Sequence, residues 1–195
     1  MNNTKTLRIG YQGAVGSNSE KASMNFIEKL AWKDVDLIPC FDSKGVVEAV
    51  LNKAVDYGVV ALNNVIAGDV AETKEALSKI TYREVDTLNL SINHCLCTLP
   101  GINVQDISVI ISHPHALYQV SMFLDKSFSE TPKQSHQDTA LAAMDLKAGK
   151  LKKTTAVITT VQAAAACDLV VHYDNIANTK ENFTKFIIIT DAAKL

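Results

Sequence analysis

Residues 7–31 read LRIGYQGAVGSNSEKASMNFIEKLA, and this stretch decides the fold class. Leu7–Tyr11 is a short apolar run of the kind found in strands that are covered on both faces. A glycine-rich turn follows it, and Ser19–Ala31 then has the pattern of a helix. A strand that leads directly into a helix is the repeating unit of an α/β fold with mostly parallel strands.

The same alternation continues along the chain, so we predict an α/β protein. The further predicted strands are Val35–Pro39, Tyr57–Leu62, Ile107–Ser112, Thr155–Thr159, Leu169–His172 and Lys185–Thr190. The further predicted helices are Ser43–Lys53, Asp69–Lys79, Pro114–Asp125, Thr139–Ala148 and Val161–Ala166. Ser43 is the expected N-cap of its helix, Pro114 suits a first helical turn, and Gly149 suits a helix end. Glu84–Leu99 carries no obvious crossover helix, so we expect the chain to pass there from one lobe to another.

Composition excludes several classes of protein. The chain has 195 residues, 47% of them hydrophobic, which is enough for one domain or two closely joined lobes. Its net charge of -2 gives no attraction to nucleic acid or to an anionic membrane. The polar start lacks a signal peptide, no apolar run is long enough for a membrane helix, and the four cysteines form no C-x-x-C motif. We therefore expect a cytoplasmic protein with reduced thiols.

Two polar loops follow predicted strands. The first, 10–19, contains Gly16 and Ser17, and glycines with free N–H groups before a helix favour a small anion. The alternative is a flexible turn, because the spacing is not that of a dinucleotide fingerprint. The second contains Asn63 and Asn64, whose amides can bind a ligand or cap the next helix.

Two further segments carry groups able to bind a carboxylate or move a proton. Ser112 and His113 end an apolar strand, where open α/β sheets bind ligands, although a capping serine and a surface histidine would look the same. No third ligand has convincing spacing, so we expect no metal. In 182–186 a lysine stands beside a threonine hydroxyl, a pair that can hold a carboxylate, although an edge strand with a solvated lysine is the alternative.

Taken in order, these segments resemble the prephenate dehydratase family over essentially the whole chain. The matching motifs are YQGAVGSNSE at 11–20, DYGVVALNNVIAG at 56–68, SHPHALYQ at 112–119, DTALAA at 138–143, AVITTVQAAA at 156–165 and NFTKF at 182–186. Each motif is weak alone, and their order and spacing make the resemblance specific.

The resemblance implies one catalytic domain over 1–195, built from two α/β lobes of the type II periplasmic-binding-protein kind with the ligand in a cleft between them. Lobe 1 would comprise about 1–80 plus 166–195, and lobe 2 about 81–165. The chain stops soon after NFTKF, so the ACT domain that senses phenylalanine in family members is expected to be missing. We therefore expect no feedback by phenylalanine within this polypeptide.

The implied reaction is the decarboxylating dehydration of prephenate to phenylpyruvate in phenylalanine biosynthesis. Aromatisation supplies the driving force, so the resemblance implies neither a metal nor a cofactor, and one positioned proton donor can suffice. Thr184 is that donor by resemblance, and Lys185 and Phe186 complete the catalytic motif. The substrate-binding residues implied are Gly16, Ser17, Asn63, Asn64, Ser112, His113, Thr139 and Thr160.

Three departures from the family pattern lie in the presumed cleft. Lys185 stands in place of an arginine, Asn63 in place of a glutamate and Val65 in place of a serine. They leave open a prephenate decarboxylase, which loses carbon dioxide only, or an arogenate dehydratase, although retention of Thr184 favours dehydration. A non-catalytic module that binds a small anion is the third alternative. The oligomeric state is open, with a homodimer compatible with the family.

Overall fold

The computed structural model describes residues 6–179 and 181–193. Strands and helices alternate through most of these ranges, so the predicted α/β class is confirmed. The strands are β1 Leu7–Tyr11, β2 Val35–Pro39, β3 Tyr57–Asn64, β4 Gly68–Asp69, β5 Tyr82–Ser91, β6 Cys95–Thr98, β7 Val109–Ser112, β8 Lys133–Ser135, β9 Thr155–Thr159, β10 Val170–Tyr173 and β11 Phe183–Asp191. The helices are α1 Asn18–Lys29, α2 Ser43–Leu51, α3 Ala71–Ser78, α4 Pro114–Gln119, α5 Ser121–Ser127, α6 Thr139–Lys147 and α7 Val161–Ala166, with a short 3-10 turn at Val104–Asp106.

The chain divides into two compact units. Of the described residues, unit 1 contains 6–14, 18–90 and 183–193, and unit 2 contains 15–17 and 91–182 without residue 180. The chain therefore passes between the units inside the stretch Glu84–Leu99, although this stretch consists of strands rather than a linker. Residues 166–182, which we expected in the first lobe, belong to unit 2 because β10 pairs antiparallel with β6 there.

Unit 1 is built on a sheet of order β2-β1-β3-β11-β5, with β4 added on β3. Strand β1 runs parallel to β2 and β3, whereas β11 runs antiparallel to β3. The prediction of mostly parallel strands is therefore wrong for β11, which enters this sheet at the end where β3 leaves it. Its continuous apolar run packs with valines of α2 and with Leu77 of α3 in the unit 1 core. This arrangement places the polar end of β3 beside the polar start of β11.

Unit 2 has a five-stranded sheet of order β10-β6-β9-β7-β8. Strand β7 runs parallel to β8 and β9, so the carboxyl ends of β7 and β9 lie side by side at one edge of the sheet. The core of this unit forms between the sheet and helices α4 and α5, with Leu96, Ile110 and Ile158 facing Ala116 and Leu124.

Two local predictions about helices are corrected by tertiary contacts. The predicted helix Pro114–Asp125 is broken at Val120 into α4 and α5. The Asn178 side chain lies at the break, where its Oδ1 accepts from Met122 N and its Nδ2 donates to the carbonyl oxygen of Tyr118.

The N-cap of α2 is Asp42 rather than Ser43. The Asp42 carboxylate accepts from Gly45 N at 2.7 Å, whereas the Ser43 hydroxyl bonds the buried Thr73 hydroxyl. Pro114 does occupy the first turn of α4, and Gly149 has a left-handed φ of 74° just after α6, as predicted. Within 6–179 and 181–193, no helix has the length and apolar character that crossing a membrane requires.

Candidate active site

The polar ends of β3 and β11 form a cluster around Thr184 in unit 1. The antiparallel register sets Thr184 opposite Asn64 and Lys185 opposite Asn63. The register shifts just beyond this point, between Lys185 and Phe186, as is common beside functional sites because a bulge turns side chains in new directions. Thr184 and Asn64 are both buried, at 7% and 3% exposure.

The Asn64 amide holds the Thr184 hydroxyl in place. Its Nδ2 donates to Thr184 Oγ1 at 2.9 Å and to the carbonyl oxygen of Phe183 at 3.1 Å. Its Oδ1 accepts from the backbone N–H groups of Ile66 and Ala67, each at 2.9 Å. Because Oδ1 accepts two N–H groups, the amide cannot be turned over, so the N–H side must face the threonine.

Thr184 consequently accepts a hydrogen bond and keeps its own proton to donate. The bond from Asn64 is the only one to the Thr184 hydroxyl within the described part of the chain. A hydroxyl that accepts from an amide N–H can better tolerate negative charge on its oxygen. Asn64 was predicted to bind substrate directly, but its amide is engaged by the protein, so the geometry supports a role in orienting Thr184.

Lys185 and Asn63 lie on the other face of the sheet from Thr184. Side chains alternate along β11, where Phe183 and Lys185 are exposed while Thr184 and Phe186 are buried. Asn63 donates to the Asp69 carboxylate at 3.0 Å, and this bond, after that from Lys74, lowers the pKa of Asp69. The strand alternation therefore separates the predicted Lys185 and Asn63 from the Thr184 hydroxyl.

Phe186, the last residue of the predicted catalytic motif, is a buried part of β11. Its side chain is 2% exposed, on the same face of β11 as Thr184. Its carbonyl oxygen accepts from the Thr87 hydroxyl at 3.1 Å. Because the ring is buried in the core, Phe186 supports the strand that carries Thr184 and offers no surface to a ligand.

In unit 2, the loop 15–17 packs against the start of α7. Gly16 has a φ of +84°, and a Cβ atom there would lie 2.8 Å from the Cα of Ala163. Thr160 Oγ1 donates to the carbonyl oxygen of Gly16 at 2.8 Å and accepts from Ala163 N at 3.0 Å. Thr160 is 2% exposed and its hydroxyl fixes the loop, while its contact with substrate stays a prediction. Ser17, also predicted to bind substrate, is 5% exposed in the same loop.

Ser112 is another predicted binding residue whose hydroxyl bonds the protein. It ends β7 with no exposed surface, and its hydroxyl donates to the carbonyl oxygen of Ile158 on the neighbouring strand at 2.6 Å. Sequence alone could not reveal this bond, because it depends on the pairing of β7 with β9.

His113 and Thr139 keep groups that a ligand could use. His113 Nδ1 accepts from His115 N at 3.2 Å, so the proton of the neutral ring sits on Nε2, which has no partner among the described residues. Burial, followed by the neighbouring His115, lowers the pKa of His113 to about 4, so the ring stays neutral at pH 7. Thr139 opens α6, is partly exposed, and its hydroxyl has no partner among these residues.

Gln119 is a candidate that the sequence prediction missed. It is 5% exposed at the end of α4, and its Oε1 is bonded to His94 Nε2 at 2.7 Å and to Asn182 Nδ2 at 3.1 Å. We call these three residues the Gln119 cluster. The motif SHPHALYQ ends on Gln119, so its place in that motif was the available signal.

The candidate groups are oxygen and nitrogen donors of Thr, Asn, Gln and His rather than a metal-ligand set. The described residues contain no group of three or more His, Cys, Asp or Glu side chains placed to hold a metal ion. The arrangement can donate hydrogen bonds to anionic oxygens and deliver one proton.

Comparison with known proteins gives a consistent result. Residues 9–194 match the family model described as prephenate dehydratase. Arogenate dehydratase 1 of Petunia hybrida is 29% identical over 184 residues, which are 94% of this chain and 42% of the relative. The chain thus spans less than half of the length of this curated relative.

Solved structures agree with the observed fold. The prephenate dehydratase of Arthrobacter aurescens, solved with L-Phe, superposes with a TM-score of 0.83 at 25% identity, covering 97% of this chain and 61% of that one. A periplasmic substrate-binding protein of an ABC transporter from Coxiella burnetii gives a TM-score of 0.51 at 10% identity, covering 94% and 84%. The latter shows a shared fold only.

Proposed function

Because this chain belongs to the prephenate dehydratase family, we propose that it converts prephenate to phenylpyruvate with loss of carbon dioxide and water. The observation that carries the proposal is the 2.9 Å hydrogen bond from Asn64 Nδ2 to Thr184 Oγ1. It leaves the Thr184 proton free for a substrate and stabilises the oxygen that gives the proton up.

The reaction makes two demands on the protein. The electron pair of the bond to the ring carboxylate moves into the ring, carbon dioxide departs, and the bond to the 4-hydroxyl breaks. The departing hydroxyl takes a proton and leaves as water, so a donor must lie within hydrogen-bond reach of it. The two carboxylates of prephenate must also be bound so that the leaving oxygen is held at that donor.

Thr184 meets the first demand in this proposal. A free threonine hydroxyl is a weak acid, so its proton must move as the carbon–oxygen bond breaks, and the charge that develops on Oγ1 must be stabilised at that moment. The Asn64 amide supplies this stabilisation. It is already oriented by two backbone N–H groups, so it needs no rearrangement during the reaction.

Neutral donors named in the sequence motifs are assigned to the carboxylates. His113 Nε2 and the Thr139 hydroxyl lack partners among the described residues, and the loop at Gly16 and Ser17 is held by Thr160. Neutral N–H and O–H donors suit carboxylate oxygens. Lys185 is assigned a weaker part, as an exposed charge that attracts the dianionic substrate.

The three departures from the family pattern lie away from the Thr184 hydroxyl, so they argue less against dehydration than the sequence alone suggested. Val65 is 62% exposed, Lys185 is exposed, and Asn63 is bonded to Asp69 away from the Thr184 hydroxyl. They therefore do not disturb the Asn64–Thr184 pair, which favours dehydration over decarboxylation alone.

The test is mass spectrometry of prephenate incubated with purified protein at neutral pH, beside a control without protein. Phenylpyruvate should form with the wild-type chain and with Thr184→Ser, which retains a hydroxyl. It should fall to the control level with Thr184→Val, which keeps the shape and removes the proton. Full activity in Thr184→Val would overturn the role of Thr184.

The same incubation separates the alternatives. A product that has lost carbon dioxide and kept its hydroxyl would indicate a decarboxylase. Turnover of arogenate to phenylalanine, with prephenate unchanged, would indicate the activity named for the Petunia relative. Binding of prephenate without turnover would indicate a module that binds small anions. The cytoplasmic location and the homodimer remain predictions, which fractionation and light scattering would test.

A further inference from the structure

The Gln119 side chain is 5% exposed, and only one of its two polar atoms is engaged by the protein. Its Oε1 is engaged by His94 and Asn182, while its Nε2 has no hydrogen-bond partner among the described residues. The buried side-chain atoms without a partner in those residues are His94 Nδ1, Thr155 Oγ1 and Thr159 Oγ1. The two N–H groups on Gln119 Nε2 are therefore available to a ligand.

This orientation of the amide follows from the protonation of His94. If the Gln119 amide were turned over, its NH₂ group would donate to His94 Nε2, and the ring proton would have to sit on Nδ1. That atom is buried without a partner, and a buried N–H without an acceptor is rarer and more costly than an unused acceptor. The ring proton therefore belongs on Nε2, which donates to Gln119 Oε1.

The surroundings keep this arrangement rigid. His94 is 2% exposed in the segment between β5 and β6, and its carbonyl oxygen accepts from Ile176 N at 3.2 Å. Asn182 is 1% exposed, and its carbonyl oxygen accepts from Ile92 N at 2.7 Å. Both donors to Gln119 Oε1 are thus fixed through their own backbones.

We propose that His94 is a positioning residue, whose Nε2–H holds the Gln119 amide so that both of its N–H groups face a substrate oxygen. The proposal rests on the proposed function, because it assigns that oxygen to the anionic substrate. Two parallel N–H donors suit a carboxylate or carbonyl oxygen. Without His94, the amide would keep only the bond from Asn182 and could rotate.

The kinetic test compares His94→Phe with His94→Gln. Phenylalanine fills the space without a donor, whereas glutamine can place an N–H near the position of Nε2. We expect KM for prephenate to rise about 10-fold or more in His94→Phe with kcat changed less, because a binding group has lost its orientation. His94→Gln should restore KM to within a few-fold of wild type.

The matched control is His172→Gln. His172 is also a histidine of unit 2, and its Nε2 is hydrogen-bonded to the Thr98 hydroxyl. Its KM should be unchanged. A merely structural role for His94 would lower the active fraction, and hence the apparent kcat, while leaving KM unchanged. An unchanged KM in folded His94→Phe, or no recovery in His94→Gln, would overturn the proposal.

NMR tests the proposal without turnover. The ring nitrogens of His94 in the ¹⁵N-labelled wild-type chain should show a protonated Nε2 and an unprotonated Nδ1, and the Gln119 side-chain amide should broaden or shift in His94→Phe. A protonated Nδ1 would overturn the proposal even if His94→Phe fails to fold. If the wild-type chain does not turn over prephenate, the proposed function fails, while this spectrum still decides the orientation of Gln119.

Discussion

The substitution Asn64→Asp exchanges one amide group for a carboxylate oxygen and keeps the shape of the side chain. The oxygen that accepts from Ile66 N and Ala67 N is retained, so the turn after β3 should survive. The group that donates to Thr184 becomes an acceptor. We expect the Thr184 hydroxyl to turn its proton toward this carboxylate, where it is no longer available to a substrate.

The contacts set the size of both effects. Loss of one preorganised donor to a reacting oxygen costs about 100- to 1,000-fold in kcat, and capture of the Thr184 proton acts in the same direction. Stability should fall by only about 1–3 kcal/mol, because the bond to the carbonyl oxygen of Phe183 is lost and two oxygens then face each other. The charged acceptor strengthens the two bonds from the turn and offsets part of this loss.

The assay is phenylpyruvate formation at neutral pH, with urea unfolding of the same samples. The matched control is Asn178→Asp at the break between α4 and α5. Asn178 accepts from a backbone N–H and donates to a backbone carbonyl oxygen and to the Ser121 hydroxyl, much as Asn64 does with Thr184. Its stability should fall by a similar amount with activity within a few-fold of wild type. If folded Asn64→Asp keeps more than a third of the wild-type kcat, Asn64 does not orient Thr184 and the reasoning is refuted.

Three further predictions concern stability. The pKa of His113 lies at about 4 in the folded chain and near 6.5 when unfolded, so the unfolded chain binds the proton first as pH falls. The free energy of unfolding is full above pH 6.5 and should be about 2 kcal/mol lower at pH 5. Urea unfolding should find this loss reduced in His113→Gln, and an equal loss in that variant would contradict the assignment. Gly16→Ala should destabilise by about 1–3 kcal/mol beyond Gly149→Ala in thermal unfolding, because both have a positive φ but only Gly16 would press a Cβ against Ala163; equal losses would refute the close contact. Asp42→Ala should cost about 1 kcal/mol through loss of the α2 cap, and an unchanged melting temperature would argue against that cap.

The sequence predicted the elements that hydrophobic pattern governs. β1, β2, β9 and α7 have the predicted bounds, because each is a compact apolar run between polar turns. β5 and β6 were not assigned as separate strands, and β5 carries charges along its length and gives no continuous apolar run. The break at Val120 is bonded by Asn178, a contact distant in sequence that leaves no local signal.

The candidate site shows a similar division. Thr184 was predicted as the proton donor through its motif, and the structure adds its hydrogen-bond partner Asn64. Ser112 and Thr160 were predicted by resemblance to bind substrate, and the bonds of their hydroxyls to the protein could not be predicted, because they depend on strand pairing and loop packing. Gln119 was missed because its value as a donor depends on the protonation of His94, which a sequence does not display.

Strand β11 has a consequence for how the chain is synthesised. It lies between β3 and β5 in the sheet of unit 1, and among the described residues it is the one strand that pairs with β5. A ribosome therefore releases β1, β2, β3 and β5 long before their missing neighbour emerges. Until then the apolar edge of β3 is open, and nascent unit 1 should be a client for chaperones that shield unpaired strands. A nonsense codon shortly before residue 183 would shorten the chain only slightly, yet it would leave the sheet of unit 1 without β11.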